Sequence, residues 1–269
     1  MKLSCWILTT FILPALPALP ARPWENDISS HEPGPFLKTL RPVHLSFEVN
    51  WDGKINSGNL NFLIGRKDQR YPHYHIFQIY GKSTGLARGV YPYDYSFTSF
   101  LNKDDLQPAM LVASETDRDE HRETSNWYRA TLTSKEITTP HRKGKTPKTK
   151  KTTFSFKRAP VHDLASAFLY LRSLKLKVGQ ETVMILHPFS SPYLARIKVL
   201  RREVHRGLKC LRMDLRLQKI GATGKLLIYD KMKTTTMWMS DDRERLPVEL
   251  RSEVFIGDVR AILVGKKYL

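Results

Sequence analysis

Two cysteines in 269 residues, Cys5 and Cys210, leave this chain without a disulfide framework, and no Cys-x-x-Cys pair exists to hold structural zinc or run thiol redox chemistry. Acid is scarce too. Asp and Glu number 26 against 44 Lys and Arg, a formal charge of +18. No stretch reaches the roughly 18 consecutive apolar residues of a membrane-spanning helix, which excludes a multi-span membrane protein. Gly-x-Ser-x-Gly, His-Glu-x-x-His and Gly-x-Gly-x-x-Gly are all absent. Gly221-Ala-Thr-Gly224-Lys225 echoes the end of a phosphate loop, but the leading Gly is missing and Leu226 replaces the Ser or Thr; a turn between strands explains it better. What remains is 41% hydrophobic and 10% aromatic, a composition that folds on its own core.

The first residues, MKLSCWILTTFILPALPALPARP, set Lys2 before an apolar run from Cys5 to Leu13, followed by small residues at Ala15, Ala18 and Ala21. That is the layout of a secretory signal peptide over 1–21, with an uncleaved anchor as the alternative. Cys5 precedes the apolar run, so lipidation there is not expected. Removal of the signal leaves Cys210 as the single thiol. Residues 22–40 are a turn-rich, irregular lead, and 41–269 read as a single β-rich domain.

Period-two alternation dominates that domain. Leu45, Phe47, Val49 and Trp51 alternate with polar residues, Asp52-Gly53 offers a turn, and Leu60, Phe62 and Ile64 resume, which predicts a hairpin. A third strand is expected across HIFQIYG. Ala195, Ile197 and Val199 share a face, as do Leu211, Met213, Leu215 and Leu217, with Cys210, Arg212, Asp214 and Arg216 opposite. Leu246, Val248, Leu250, Val254 and Ile256 alternate again near the end. Clean alternation argues for antiparallel pairing. In PVHDLASAFLYLRS, Leu164, Ala167, Phe168 and Leu171 form a helical stripe with Asp163 as N-cap. A weaker helix is expected in YDYSFTSFLN, around Tyr95, Phe97 and Phe100. The fold class is mainly β: a curved antiparallel sheet or open barrel wrapped around one central helix.

Residues 141–151 hold six cations, Arg142, Lys143, Lys145, Lys148, Lys150 and Lys151, and no acid, which reads as a solvated basic loop or hairpin tip. Residues 141–158 carry eight cations without an acid, and residues 194–219 carry nine cations against two acids. The +18 is therefore local.

The order HDLASAFLYLRSLKLKVGQ, TMWMSDDRERLPVEL and FIGDVRAIL resembles the exported bacterial family called domain of unknown function 3108. The matching positions are Asp163, Leu171, Arg172, Val178, Gly179, Trp238, Ser240, Asp241, Asp242, Pro247, Val248, Gly257 and Val259, within about residues 40–265. The resemblance implies an exported β-rich domain without established catalytic residues, and an architecture similar to the lipoprotein carriers, whose curved sheet wraps a hydrophobic cavity. Phe168, Leu171 and Trp238 are the expected cavity residues.

Candidate chemistry is thin. His73 and His75 would share a strand face and could share a metal, yet no third ligand is evident, and surface histidines are the better reading. His162-Asp163 reads as a capping pair rather than a base with its orienter. Asp241 and Asp242 sit in ordinary turn chemistry, and Cys210 is expected as a half-exposed thiol beside Arg212. No metal or cofactor is expected. The leading expectation is a non-enzymatic, exported envelope protein, in the periplasm or on the envelope, that binds an apolar or amphipathic ligand or an envelope partner. The alternative is binding of polyanions, anionic lipid or polysaccharide, through the basic loop, with nucleic acid the lesser target; an envelope enzyme is a distant third.

Overall fold

A computed structural model describes residues 22–156, 160–229, 232–254 and 257–269. The expected signal segment, part of the basic stretch at 157–158, and Ile256 lie outside them. The first half is a meander: β1 (Val43–Trp51), β2 (Ile55–Arg66), β3 (Tyr74–Ser83), a short α1 (Gly85–Val90), β4 (Asp94–Asn102), β5 (Pro108–Thr116), β6 (Glu120–Trp127), β7 (Leu132–Pro140) and β8 (Lys148–Phe154). Then come β9 (Val161–His162) and α2 (Leu164–Ser173). A second meander follows: β10 (Glu181–Leu186), β11 (Tyr193–His205), β12 (Leu208–Ile220), β13 (Leu226–Ile228), β14 (Met232–Ser240), β15 (Pro247–Val254) and β16 (Gly257–Tyr268).

All strands belong to one sheet, ordered β8-β7-β6-β5-β4-β3-β2-β1-β16-β15-β14-β12-β11-β10-β9, with β13 beside β12. Every pairing is antiparallel except the short β9–β10 contact. The last strand returns to the first, Val49 opposite Ala261, which welds the two meanders into one sheet. Its edges, β8 and β9, are consecutive strands of the chain that do not pair with each other, so the ladder leaves a seam between them. No helix among the described residues is long and apolar enough to cross a membrane.

The expected β1–β2 hairpin forms around Asp52 and Gly53, both at positive φ, where glycine and aspartate carry little strain. YDYSFTSFLN is not a helix. It is β4, with Phe97 and Ser99 buried on one face while Phe100, on the other, packs its ring 4.8 Å from Tyr71. Apolar residues on both faces blur the period-two signal, which is why the segment reads as helical. Of the two forms expected for the basic stretch, it takes the hairpin: Arg142, Lys143 and Lys145 lie in its turn, and Lys148, Lys150 and Lys151 lie on β8, all exposed.

Helix α2 is capped as its sequence indicates. The Asp163 carboxylate accepts from Ser166 N at 2.7 Å, and Ser166 Oγ accepts from Asp163 N at 2.9 Å, a complete capping box. Ala165 and Leu169 join the apolar cluster of the first meander; Ala167, Tyr170 and Leu171 join that of the second; Phe168 touches both. Leu164, placed on the apolar stripe by spacing, is instead 38% exposed. The lead is tied down: Trp24 is buried and donates to Gly224 O at 2.8 Å, while Gly34 N and Phe36 N donate to Ser173 Oγ and Ser173 O.

Candidate ligand site on the inward face

Directly paired residues of neighbouring strands point to the same face, so the ladder register reads out the inward wall row by row. One row runs Val199, Met213, Met237, Leu250, Ala261, Val49 across six strands and is apolar throughout. Another starts apolar and ends otherwise: Phe62, Ile79, Phe97, Ala113, Thr124, Glu136, Lys150. The rows beside it repeat the change. Phe77, Ser99 and Leu111 lead to Asn126, Ser134 and Thr152; Leu60, Gly81 and Tyr95 lead to Glu115, Arg122 and Thr138. Strands β10–β16 and β1–β4 thus present an apolar wall, and β6–β8 a polar one.

The apolar wall is incompletely covered. Phe168 on α2 sits 5.5 Å from Phe62 and 5.9 Å from Phe77, ring to ring, yet Phe168, Phe62, Leu60, Val49, Leu215 and Leu217 are only half-buried and Leu250 is 37% exposed. Along β4 and the turn before it, Tyr91, Tyr93, Tyr95 and Phe97 stack in sequence with centroids 5.4–5.8 Å apart, and Phe189 continues the ladder at 5.2 Å. Tyr93 donates to Glu115, and Tyr95 donates to Asn59 O; burial pushes the Tyr95 hydroxyl up to about 12. These phenols stay neutral and act as donors.

The polar wall holds buried groups that are only partly paired. Asn126 Nδ2 donates to Phe189 O at 2.9 Å and to His187 Nδ1 at 3.2 Å, and Tyr128 donates to His187 O. Burial lowers His187 to about 4. Asn126 Oδ1, His187 Nε2, Thr124 Oγ1 and Ser134 Oγ are buried with no hydrogen-bond partner among the described residues. Beside them the seam opens into a cavity of about 280 Å³ lined by Tyr128, Leu132, Phe154, Phe156 and Val161 among others.

The predicted site residues separate. Leu171 is 5% exposed in the core, and Phe168 packs against Phe62 and Phe77. Trp238 does not join them. It pairs with Arg212 on the outward face and stacks on His205 at 4.2 Å, because Met237 and Met239 take the inward positions. Cys210, expected half-exposed, is fully buried under Trp238 and Val248, and burial pushes its thiol up. His73 lies in the turn before β3 while His75 is on the strand, so the two do not share a face. His162 Nε2 meets His31 Nδ1 at 3.2 Å and His162 Nδ1 meets Ser166 Oγ at 3.1 Å, while the Asp163 carboxylate accepts from Ser99 Oγ and Ser166 N.

The motif residues at the far end of α2 do converge. Arg172 Nε donates to Glu244 O at 2.9 Å, joining the helix to the 241–246 turn, and burial lowers its guanidinium to about 10. Asp242 Oδ1 accepts from Ser240 Oγ, Glu244 N and Arg245 N, while Asp241 pairs with Arg202. Gly179 and Gly257 take positive φ, and Pro247 opens β15. These are folding roles. Over residues 46–264 the sequence matches the family described as protein of unknown function, DUF3108. The chain belongs to the DUF3108 family.

No curated protein matches the chain significantly. Among solved structures, a β-barrel-like protein of the domain of unknown function DUF1849 from Brucella abortus aligns with TM-score 0.54 and 8% identity, covering 86% of this chain and 98% of that one. A protein with a YmcC-like fold from Bacteroides fragilis aligns with TM-score 0.32 and 7% identity, over 88% and 98%. The first likeness supports the β-barrel-like fold of this DUF3108 chain.

His31, Asn126, His187, Thr124 and Ser134 carry no motif and escaped the reading of the sequence. The ladder brings Thr124, Asn126 and Ser134 together, His187 joins them from just beyond β10 through Asn126, and His31 meets His162 instead.

Proposed function

We propose that this DUF3108 protein is an exported, non-enzymatic binding protein that takes an amphipathic molecule into the curve of its sheet, around α2. The observation that carries this reading is the inward wall, which changes from apolar to polar along single rows while its apolar side chains remain half-exposed around Phe168. Apolar surface left open costs roughly 25 cal/mol per Å², which a bound chain recovers. Export rests on the signal-like residues 1–21.

The test is titration of the delipidated protein with N-phenyl-1-naphthylamine, an uncharged apolar dye. Saturable one-to-one binding is expected, and Leu250→Glu, which puts a charge on an inward position already exposed, weakens it about tenfold without unfolding the chain. Absence of saturable binding in the unaltered protein sinks the proposal.

A further inference from the structure

We infer that the polar wall carries a niche, built by Thr124, Asn126, Ser134 and His187, for an uncharged hydroxyl-bearing group such as a sugar. All four residues are 2% exposed or less, and each has a polar side-chain atom without a partner among the described residues. They are contiguous. Ser134 stands directly opposite Asn126 on the next strand, Thr124 lies two residues along the same face, and His187 is hydrogen-bonded to Asn126.

The network fixes which atoms give and which take. Phe189 O can only accept, so the Asn126 atom 2.9 Å from it is the amide nitrogen, and Asn126 Oδ1 is the free acceptor. That same nitrogen donates to His187 Nδ1, so the imidazole hydrogen sits on Nε2, a free donor. Thr124 and Ser134 add two hydroxyls that can do either. One fixed donor, one fixed acceptor and two hydroxyls, none of them charged, match a ligand hydroxyl, which itself both donates and accepts. A carboxylate or phosphate would oppose Asn126 Oδ1, and an ammonium would oppose the His187 N–H. The rings of Phe97 and Phe189, 5.2 Å apart, supply flat apolar surface next to the niche. Phe154, whose ring is 5.3 Å from His187, also lines the seam cavity of about 280 Å³, so that cavity lies on the far side of the Phe154 ring from the niche residues.

This deepens the amphipathic-ligand reading and rests on it for the position of the chain; the niche names the head. Octyl β-glucoside, octanoate and octyltrimethylammonium share a chain and differ in head. Each is titrated below its micellar range by calorimetry, alongside glucose alone. Octyl glucoside is expected to bind at least tenfold more tightly than the two charged amphiphiles. Thr124→Val with Ser134→Ala removes the two free hydroxyls without breaking a bond of the free protein, so its Tm holds while the preference falls below twofold and dye binding stays unchanged. Equal affinities for the three heads in the unaltered protein, or a preference that survives the double variant, overturn the niche and leave buried water as its occupant. Glucose binding as tightly as octyl glucoside supports the niche with a free sugar as its source. A head preference without dye binding overturns the amphipathic cup alone, and dye binding without head preference overturns the niche alone.

Discussion

Single buried side chains set how this protein responds to acid. His162 is held near 3 and His187 near 4, in both cases because burial disfavours the imidazolium, and the neighbouring His31 adds to the effect on His162. An unfolded histidine takes its proton near pH 6.5. Below that value the unfolded chain binds protons that the folded chain refuses, so stability is full above pH 6.5 and falls as pH drops, until the folded groups protonate near 4 and 3. Each histidine contributes a slope of about 1.4 kcal/mol per pH unit. Urea midpoints between pH 7 and 5 are expected to decline, and His162→Gln to decline less steeply; a flat profile in the unaltered protein contradicts the account. Cys210 gives a second check at this scale. Buried under Trp238 and Val248 with its thiol pushed up, it should resist a water-soluble disulfide reagent in the native protein and react once urea unfolds it, read by mass at its own peptide. Labelling of the native chain at Cys210 would restore the half-exposed thiol that alternation alone suggested. Alternation told which face Cys210 occupies. It could not tell that Trp238 covers that face.

At the scale of elements, the strands that keep one face for the core were legible, as Leu211, Met213, Leu215 and Leu217 show on β12, whereas β5–β8, whose faces are largely polar, were not singled out. The capped helix was legible for the same local reason. β4 was not, because Tyr71 and Tyr74 bury its second face, and that contact comes from the turn before β3 and from β3 itself. The lead was the other weak point. Residues 22–40 lack any period, yet they pass over the end of α2 closely enough that a Cβ on Gly34 would lie 2.4 Å from Ser173 O. Backbone atoms cannot swing aside, so Gly34→Ala must lift the lead or bend the helix end. The expected cost is about 1–3 kcal/mol, the range of an overpacked site. Hydrogen exchange should accelerate at Phe36, whose N–H donates to Ser173 O, while β1 and β2 keep their protection. Equal stability and unchanged exchange would show that the lead carries no tension there. Asp163→Ala tests the opposite end of α2. Losing the cap and leaving Ser99 unpaired should cost about 2 kcal/mol by denaturant titration, and Asp163→Asn should cost less than half of that.

For the whole molecule, the register of the sheet matters more than any segment. The inward polar wall joins positions more than sixty residues apart, Asn126 and His187 among them, so no window of sequence displays it. Charge follows the same rule. Five of the nine cations of residues 194–219 are matched by acids: Arg196 by Asp27 and Glu181, Arg201 by Glu203, Arg202 by Asp241, Arg206 by Glu249, Arg216 by Asp214. Arg142, Lys143, Lys145, Lys148, Lys150 and Lys151 are all exposed, and none has an ion pair with an acid among the described residues. The β7–β8 hairpin is therefore a cluster of six unmatched cations at the edge of the sheet next to the seam. Exposed charges of one sign add little to folding but attract an anionic surface over roughly the 8–10 Å of a Debye length at moderate salt. Replacing all six with Gln should move stability by less than about 1 kcal/mol. The same replacement should remove most of the binding to vesicles containing anionic lipid, and with it the loss of binding between low and moderate salt. If the six-Gln protein binds such vesicles as the unaltered one does, the hairpin is only a solvated tip. If it binds them poorly yet still takes up the apolar dye, then surface attraction and ligand uptake are separate properties of one sheet, the first at its edge and the second on its inward wall.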